Sequence, residues 1–465
     1  MLAQAKIPGN LFAWAWSTQG KDSYYGEERC IFHHPVDKEN QEIIMMDART
    51  VQTLATAVVL AIAVGMAIDA AGGERYAPGV SDTEIKIGNT CPYSGPASVY
   101  SAIGKAAKAY FDKVNADGGI HGRKVKFITL DDGYSPPKTR ERFRGLIERE
   151  GVAFILMSVG TPTNSAVHRY MNRKGVPHLF VASGAAKWGQ PERFPWTMGW
   201  QPSYRAEGRV YGKYLLDTRP DAKVAILYQN DDYGKDYVAG FKDVLGDGAE
   251  TMIVAEETYE ITDPTIGSQI VNLKASGADT FFNVSIPKFA AQAIRKAHDI
   301  GWKPLQLLNS VSASIDATLK PAGLDKSKGI VTIIYLKDPT DAAWHQDPEY
   351  KEWLAWMDAW YPQGDKNNPF NIHGYAIART AVKVLEQAGD DLSRGNIMRQ
   401  AANLRDVRIP MLLPNITIDT SEKDFFPIEA MRMMRFDGVK WVRFGDLINT
   451  ERESGNTALE NGSRR

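Results

Sequence analysis

Residues Ile85–Asp132 read IKIGNTCPYSGPASVYSAIGKAAKAYFDKVNADGGIHGRKVKFITLDD, and this stretch decides the fold. Ile85–Asn89 and Val125–Leu130 have the apolar, β-branched content of strands. Between them Ile103, Ala106, Ala107, Tyr110, Phe111 and Val114 recur at helical spacing on one face. Asn115–Gly119 ends that helix with residues that tolerate a left-handed backbone. A β-loop-α-β unit of this kind builds a parallel sheet, and ligands of open α/β sheets sit beyond the carboxyl ends of the strands. The loop Pro92–Tyr100 occupies that place. It carries Tyr93, Ser94, Ser98 and Tyr100 and no acid or base, which is the content of a binding loop and not of a catalytic one.

Outward from this unit, 465 residues are enough for two or three domains with sizeable cores. Lys+Arg at 55 against Asp+Glu at 56 leaves a net charge of -1, so no basic field holds a polyanion and no nucleic acid partner is expected. The only cysteines are Cys30 and Cys91. They fall in segments not expected to share a mature protein, so no structural disulfide is expected.

Leu54–Ala67 reads LATAVVLAIAVGMA, an uncharged apolar core preceded by Arg49 and closed by a small-x-small pattern at Gly65-Met66-Ala67. This favours a secretory signal peptide over residues 46–70, cut near Ala67 or Ala70. The alternative is a membrane anchor, since Val51–Ile68 comes close to the minimum span of ~17–20 residues. No cysteine follows the core directly, so no lipid anchor is expected. Because such a signal belongs at a chain start, residues 1–45 read as a non-native leader, with translation beginning at Met45 or Met46. His33-His34 beside Cys30 receives no metal role.

From Ser81 strands alternate with helices, the pattern of two doubly wound α/β units in tandem. Phe154–Ser158 and His178–Val181 are strands of the first series, with a helix from Thr161 to about Lys174 between them. After Gly199 the second series has strands at Val224–Tyr228, Met252–Thr258, Thr280–Val284 and Gln306–Leu308. Asp347–Ala402 is mainly helical, and its Trp353, Trp356 and Trp360 stripe reads as core packing. Asp437-Gly438 between two alternating runs predicts a two-residue hairpin. Residues 448–465 read as a polar, disordered tail.

No phosphate loop, dinucleotide fingerprint, nucleophile elbow or zinc-protease motif is present. No histidine pairs with a second ligand or a nucleophile at a recognised spacing. Asp131-Asp132 and Asp231-Asp232 suggest acid–base or metal chemistry, but turn formation and capping explain such pairs more often. What recurs is small polar residues after strands, at Gly160-Thr161-Pro162-Thr163-Asn164 and Ala182-Ser183-Gly184-Ala185. Hydroxyls and free backbone N–H groups at a helix start suit a carboxylate, with ordinary N-capping as the competing role.

Tyr93–Tyr100, Asn115–Arg123, Asp131–Pro136 (DDGYSP) and Asn230–Lys235 (NDDYGK) together resemble the periplasmic solute-binding proteins of branched-chain amino acid ABC transporters. The likeness runs from about Ser81 to Gly445. It implies two α/β lobes joined by three hinge crossovers that close on a ligand. On that pattern residues 81–199 with 336–413 form one lobe, and 200–335 with 414–447 the other. By the same resemblance Thr161, Ser183 and Ala185 match positions that bind a ligand carboxylate, and Tyr100 and Tyr233 match aromatic positions on opposite walls. Tyr93, Ser94, Thr163 and Gly184 complete the candidate set from the same loops. The implied protein is a monomeric periplasmic receptor without a cofactor, delivering its ligand to an inner-membrane permease. A ligand sensor with the same clamp is the alternative; a dehydrogenase-like enzyme lacks its phosphate loop.

One departure matters. Amino acid binders of this family carry an acid after the strand at Gln306–Leu308 to hold the ammonium, whereas this chain reads Asn309-Ser310-Val311-Ser312-Ala313-Ser314. The family tyrosine near Ser285 is also replaced. A buried ammonium without a carboxylate loses several kcal/mol. The expected ligand is therefore a carboxylate without an amine, such as an aromatic or other small organic acid, met by Ser285 and Ser310 on that wall; an amino acid is the alternative.

Overall fold

The computed structural model describes residues 75–450. The leader, the apolar segment Leu54–Ala67 with its cleavage sites, Cys30 and the chain from 451 onward lie outside the described residues.

β1 (Glu84–Cys91) is buried along most of its length, as a central parallel strand covered on both faces must be. It pairs residue for residue with β2 (Lys124–Asp131), from Glu84↔Lys124 to Cys91↔Asp131. α1 (Ser101–Ala116) crosses between them and buries the face picked out by its spacing, Ile103 to Val114. Gly119 stops the chain at φ +84°, where a Cβ would lie 2.1 Å from the Arg123 carbonyl oxygen. α2 (Pro136–Arg144), β3 (Phe154–Leu156), α3 (Thr161–Lys174), β4 (His178–Val181) and β5 (Thr197–Gly199) complete a parallel sheet of order β2-β1-β3-β4-β5. β3 ends two residues before the predicted Ser158, because Met157 turns to φ 55° and Ser158 bonds to Asn164 and His178 at 2.5 Å each.

The second layer system holds α4 (Tyr204–Thr218), β6 (Val224–Gln229), α5 (Asp232–Leu245), β7 (Ile253–Tyr259), α6 (Gly267–Ala275), β8 (Thr280–Val284), α7 (Pro287–Asp299), β9 (Leu305–Leu308) and β10 (Val331–Ile334). Its sheet runs β12-β11-β10-β9-β8-β6-β7 and is parallel up to β10. The hairpin of β11 (Ala430–Phe436) and β12 (Trp441–Asn449) adds two antiparallel strands. Its connection has four residues and not two. Phe436 pairs with Trp441, and the Asp437 carboxylate accepts the backbone N–H of Val439 and Lys440 at 2.8 Å each.

α8 (Pro348–Trp360), α9 (Pro369–Ala388) and α10 (Arg394–Ala401) return to the first lobe. Gly374 lets α9 lie on α1, since a Cβ there would meet the Ile103 carbonyl oxygen at 2.2 Å. Trp353 and Trp356 are buried, and Trp356 stacks obliquely on Tyr375 with centroids 4.7 Å apart, the core role expected of the stripe.

The fold is thus two doubly wound α/β lobes, and the chain crosses between them three times. The first crossing follows β5, the second β10, and the third precedes β11. The second and third run antiparallel beside each other: Lys337 N–H donates to the Met411 carbonyl at 2.8 Å, and Leu413 N–H to that of Tyr335 at 2.9 Å. Among the described residues no helix is long and apolar enough to cross a membrane. Nor does any group of three or more His, Cys, Asp or Glu side chains among them form a metal-binding arrangement.

Candidate functional site

The carboxyl ends of both sheets face a cavity of about 130 Å³, ample for several waters or a small solute. One wall comes from the first lobe through Tyr100, Tyr134, Gly160 and Thr161. The other comes from the second lobe through Tyr204, Tyr233, Ser310 and Val311, and the crossover residues Gln201 and Tyr335 close the back.

Thr161 opens α3, and Gly160 before it adopts φ +101°, a conformation open to glycine at little cost. Ser183 Oγ accepts from Trp188 Nε1 at 3.0 Å and from Ala185 N–H at 3.3 Å. Ser183 Oγ also shares a hydrogen bond with Thr161 Oγ1 at 2.7 Å, and Thr161 lines the cavity. Ser183 and Ala185 are therefore buried supports behind the wall, as is Gly184, whose carbonyl accepts from Tyr204 N–H at 2.7 Å. Thr163 also turns inward and donates to the Val159 carbonyl at 2.7 Å.

Of the opening loop, Tyr100 lines the cavity and the other two candidates do not. Tyr100 packs edge-on against Phe370 at 4.9 Å and donates across the cleft to the Val311 carbonyl at 3.3 Å. Tyr93 instead bonds Thr129 at 2.6 Å, and Ser94 donates to Asp131 at 2.6 Å. On the facing wall Tyr233 stands beside Tyr204 at 5.2 Å, and its buried hydroxyl has no protein partner. Ser310 lines the cavity, whereas Ser285 lies buried behind it with its carbonyl accepting from Asn309 Nδ2 at 2.9 Å. The structure thus gathers Tyr100, Thr161, Tyr233 and Ser310 at one cavity and sets Tyr93, Ser94, Thr163, Ser183, Gly184, Ala185 and Ser285 outside its lining.

Sequence reasoning missed Tyr134, Tyr204, Tyr335 and Glu207. Tyr134 lay inside the DDGYSP motif, and its φ of 59° marks a loop forced into place. Tyr204 and Glu207 open α4, where nothing local distinguishes them from ordinary helix residues.

Burial pushes the hydroxyls of Tyr100, Tyr134, Tyr204 and Tyr233 well up, and neighbouring phenols add to the shift at Tyr100, Tyr134 and Tyr233. All four stay protonated at neutral pH. Lys337 lines the far end, but its ammonium is held by Asp347 at 2.7 Å and Glu349 at 2.6 Å. Asp338 beside it accepts from Thr340 N–H at 2.9 Å and Oγ1 at 2.8 Å, and burial raises its pKa. His373 is neutral, pushed down to about 4 by burial. Ile315, Ile334, Phe370, Met434 and Trp441 add an apolar lining. This is a site with hydroxyl donors at one pole and an apolar body.

Residues 84–440 match the family described as periplasmic binding protein. Leu/Ile/Val-binding protein homolog 1 of Brucella abortus (strain 2308) is 25% identical over 350 residues, covering 73% of this chain and 85% of that protein. A branched-chain amino acid ABC transporter structure from Thermus thermophilus with bound valine superposes with a TM-score of 0.71 at 16% identity, covering 81% of this chain and 99% of that one. A fatty acid ABC transporter substrate-binding protein from Thermomonospora curvata gives 0.68 at 22% identity, covering 80% and 94%.

Proposed function

The chain belongs to the periplasmic binding protein family, and we propose that it captures a small carboxylate solute outside the cytoplasm and hands it to an ABC permease in the inner membrane. It is of the substrate-binding type found with branched-chain amino acid transporters, a family that binds small molecules and is not a family of enzymes. The signal segment Leu54–Ala67 carries it out, and it works as a monomer.

The observation behind the ligand class is the donor set. Thr161, Tyr134 and Tyr233 offer hydroxyl groups to a cavity whose only lining cation is already paired among the described residues. Hydroxyl and helix-start N–H donors suit a carboxylate head. No carboxylate lines the cavity beside Tyr233 or Ser310: Glu207 lies behind Ser310 and is bonded to it, Asp231 is engaged by the Tyr233 backbone, and Asp338 lies at the hinge end and is engaged by Thr340. An aromatic or other organic acid fits this better than an amino acid. The amino acid reading is favoured by the names of the Brucella relatives. Calorimetric titration of the mature protein with benzoate, octanoate and L-leucine decides between them. Binding of an acid with weak or absent leucine binding is expected; tight leucine binding with no response to either acid overturns the proposal.

A further inference from the structure

Glu207 lies in the first turn of α4, 1% exposed, directly behind Ser310. Its Oε1 is 2.7 Å from Ser310 N and 2.8 Å from Tyr211 Oη. Its Oε2 is 2.7 Å from both Ser310 Oγ and Tyr237 Oη. Tyr211 Oη is also 2.7 Å from the Leu308 carbonyl oxygen. A phenol owns one proton, and a carbonyl oxygen can only accept. If Tyr211 gave its proton to Glu207, two bare acceptors would face each other at Leu308. With that proton on Leu308, the contact between Tyr211 and Glu207 is closed by a proton on Oε1. Every remaining partner then balances: Ser310 N–H donates to the protonated Oε1, the two hydroxyls donate to Oε2, and Thr332 Oγ1, 3.2 Å from Tyr211 Oη, donates to that oxygen.

The surroundings agree. The titratable groups facing Glu207 are all phenols: Tyr204 and Tyr211 from its own helix, Tyr237 from α5 and Tyr335 from the second crossover. No cation is hydrogen-bonded to it among the described residues. Full burial raises its pKa, and the bonds donated by Tyr237 and Ser310 oppose that only in part.

We infer that Glu207 is a positioning residue held as the neutral carboxylic acid, which turns both donors of Ser310 away from the cavity and leaves the ligand an uncharged hydroxyl acceptor there in place of a countercharge. At that point the cleft takes a ligand group that donates a hydrogen bond without positive charge, a hydroxyl or an amide N–H. This last clause rests on the proposed solute site; the proton on Glu207 does not.

The test is infrared difference spectroscopy of ligand-free wild type against Glu207→Gln at neutral pH. A protonated carboxyl stretch that shifts in D2O, present in wild type and lost in the variant, is expected. A carboxylate band lost in its place overturns the inference. Should Glu207→Gln fail to fold, Ser310→Ala serves, because removing one bond to Oε2 shifts the same protonated band; a shift confined to carboxylate bands again overturns it. Titration with 4-hydroxybenzoate and L-leucine separates the two layers. Tight leucine binding beside a protonated band sinks the cleft reading and leaves the Glu207 proton standing, whereas a carboxylate band sinks the proton whatever binds.

Discussion

Each lobe carries an Asp-Asp pair at the carboxyl end of a strand, and the two pairs have opposite uses. Asp131 accepts from Tyr93 N–H, Ser94 N–H, Ser94 Oγ and Gly133 N–H within its own lobe. Burial works against its charge, but these donors outweigh it and its pKa falls. Asp132 is fully buried and ties down Tyr134 N–H at 3.0 Å and Thr139 Oγ1 at 3.0 Å. The pair thus spends all its acceptors fixing the loops that carry Tyr100 and Tyr134. In the second lobe Asp231 caps α5, and Asp232 reaches out of its lobe to Lys187. One turn further along α5, Asp236 accepts Ala186 N–H at 2.7 Å across the same boundary. The same dipeptide is internal scaffolding in one lobe and an interlobe latch in the other, because only the second faces donors from its neighbour.

Breaking the first pair has the largest expected effect. Asp131→Ala removes four hydrogen bonds to a carboxylate and should destabilise the protein by about 3 kcal/mol, read as a lower urea midpoint at unchanged slope. A loss too small to resolve would mean the loop is held by other means. The next contrast is in pH. Burial raises Asp231 to about 6, above the usual carboxylate range, so its contribution is full below the unfolded value and is lost as pH rises through about 6. Asp231→Asn keeps a good cap and removes this loss. Its stability relative to wild type should improve by about 2 kcal/mol between about pH 4 and about pH 6.5; a flat difference across that range refutes the assignment. The smallest effect belongs to the latch. Lys187 and Asp232 are 23% and 53% exposed, so the pair is worth about 0.2–1 kcal/mol. Lys187→Met should raise the radius of gyration in small-angle scattering at low salt and leave it unchanged at high salt, where the pair is already screened.

Much of the fold was legible because it depends on short-range pattern. The Ile103–Val114 face, the Gly119 stop and the Thr161 helix start each follow from residues a few positions apart. Asp131 and Asp132 hold turns and Asp231 caps a helix, as the sequence suggests, whereas Asp232 pairs with Lys187 of the other lobe. The hairpin turn was misjudged because the Asp437 side chain, and not the Asp-Gly dipeptide alone, sets its length. The cavity wall was legible where a strand-end loop meets it directly, as at Tyr100, Thr161 and Ser310. Tyr93 and Ser94 look equivalent to Tyr100 in sequence, yet their directions are set by Thr129 and by Asp131, the latter 37 residues beyond Ser94. Glu207 is invisible for the same reason: its contact with Ser310 spans 103 residues.

The paired second and third crossovers have a mechanical consequence. Two strands hydrogen-bonded side by side form a ribbon, soft to bending out of its plane and stiff to shear within it. Sliding one lobe past the other would break the bonds between Lys337 and Met411 and between Tyr335 and Leu413. Bending keeps both. Any opening that keeps both bonds is a bend of this ribbon, and reclosing along that bend would bring Tyr100 back to Val311 in the same register.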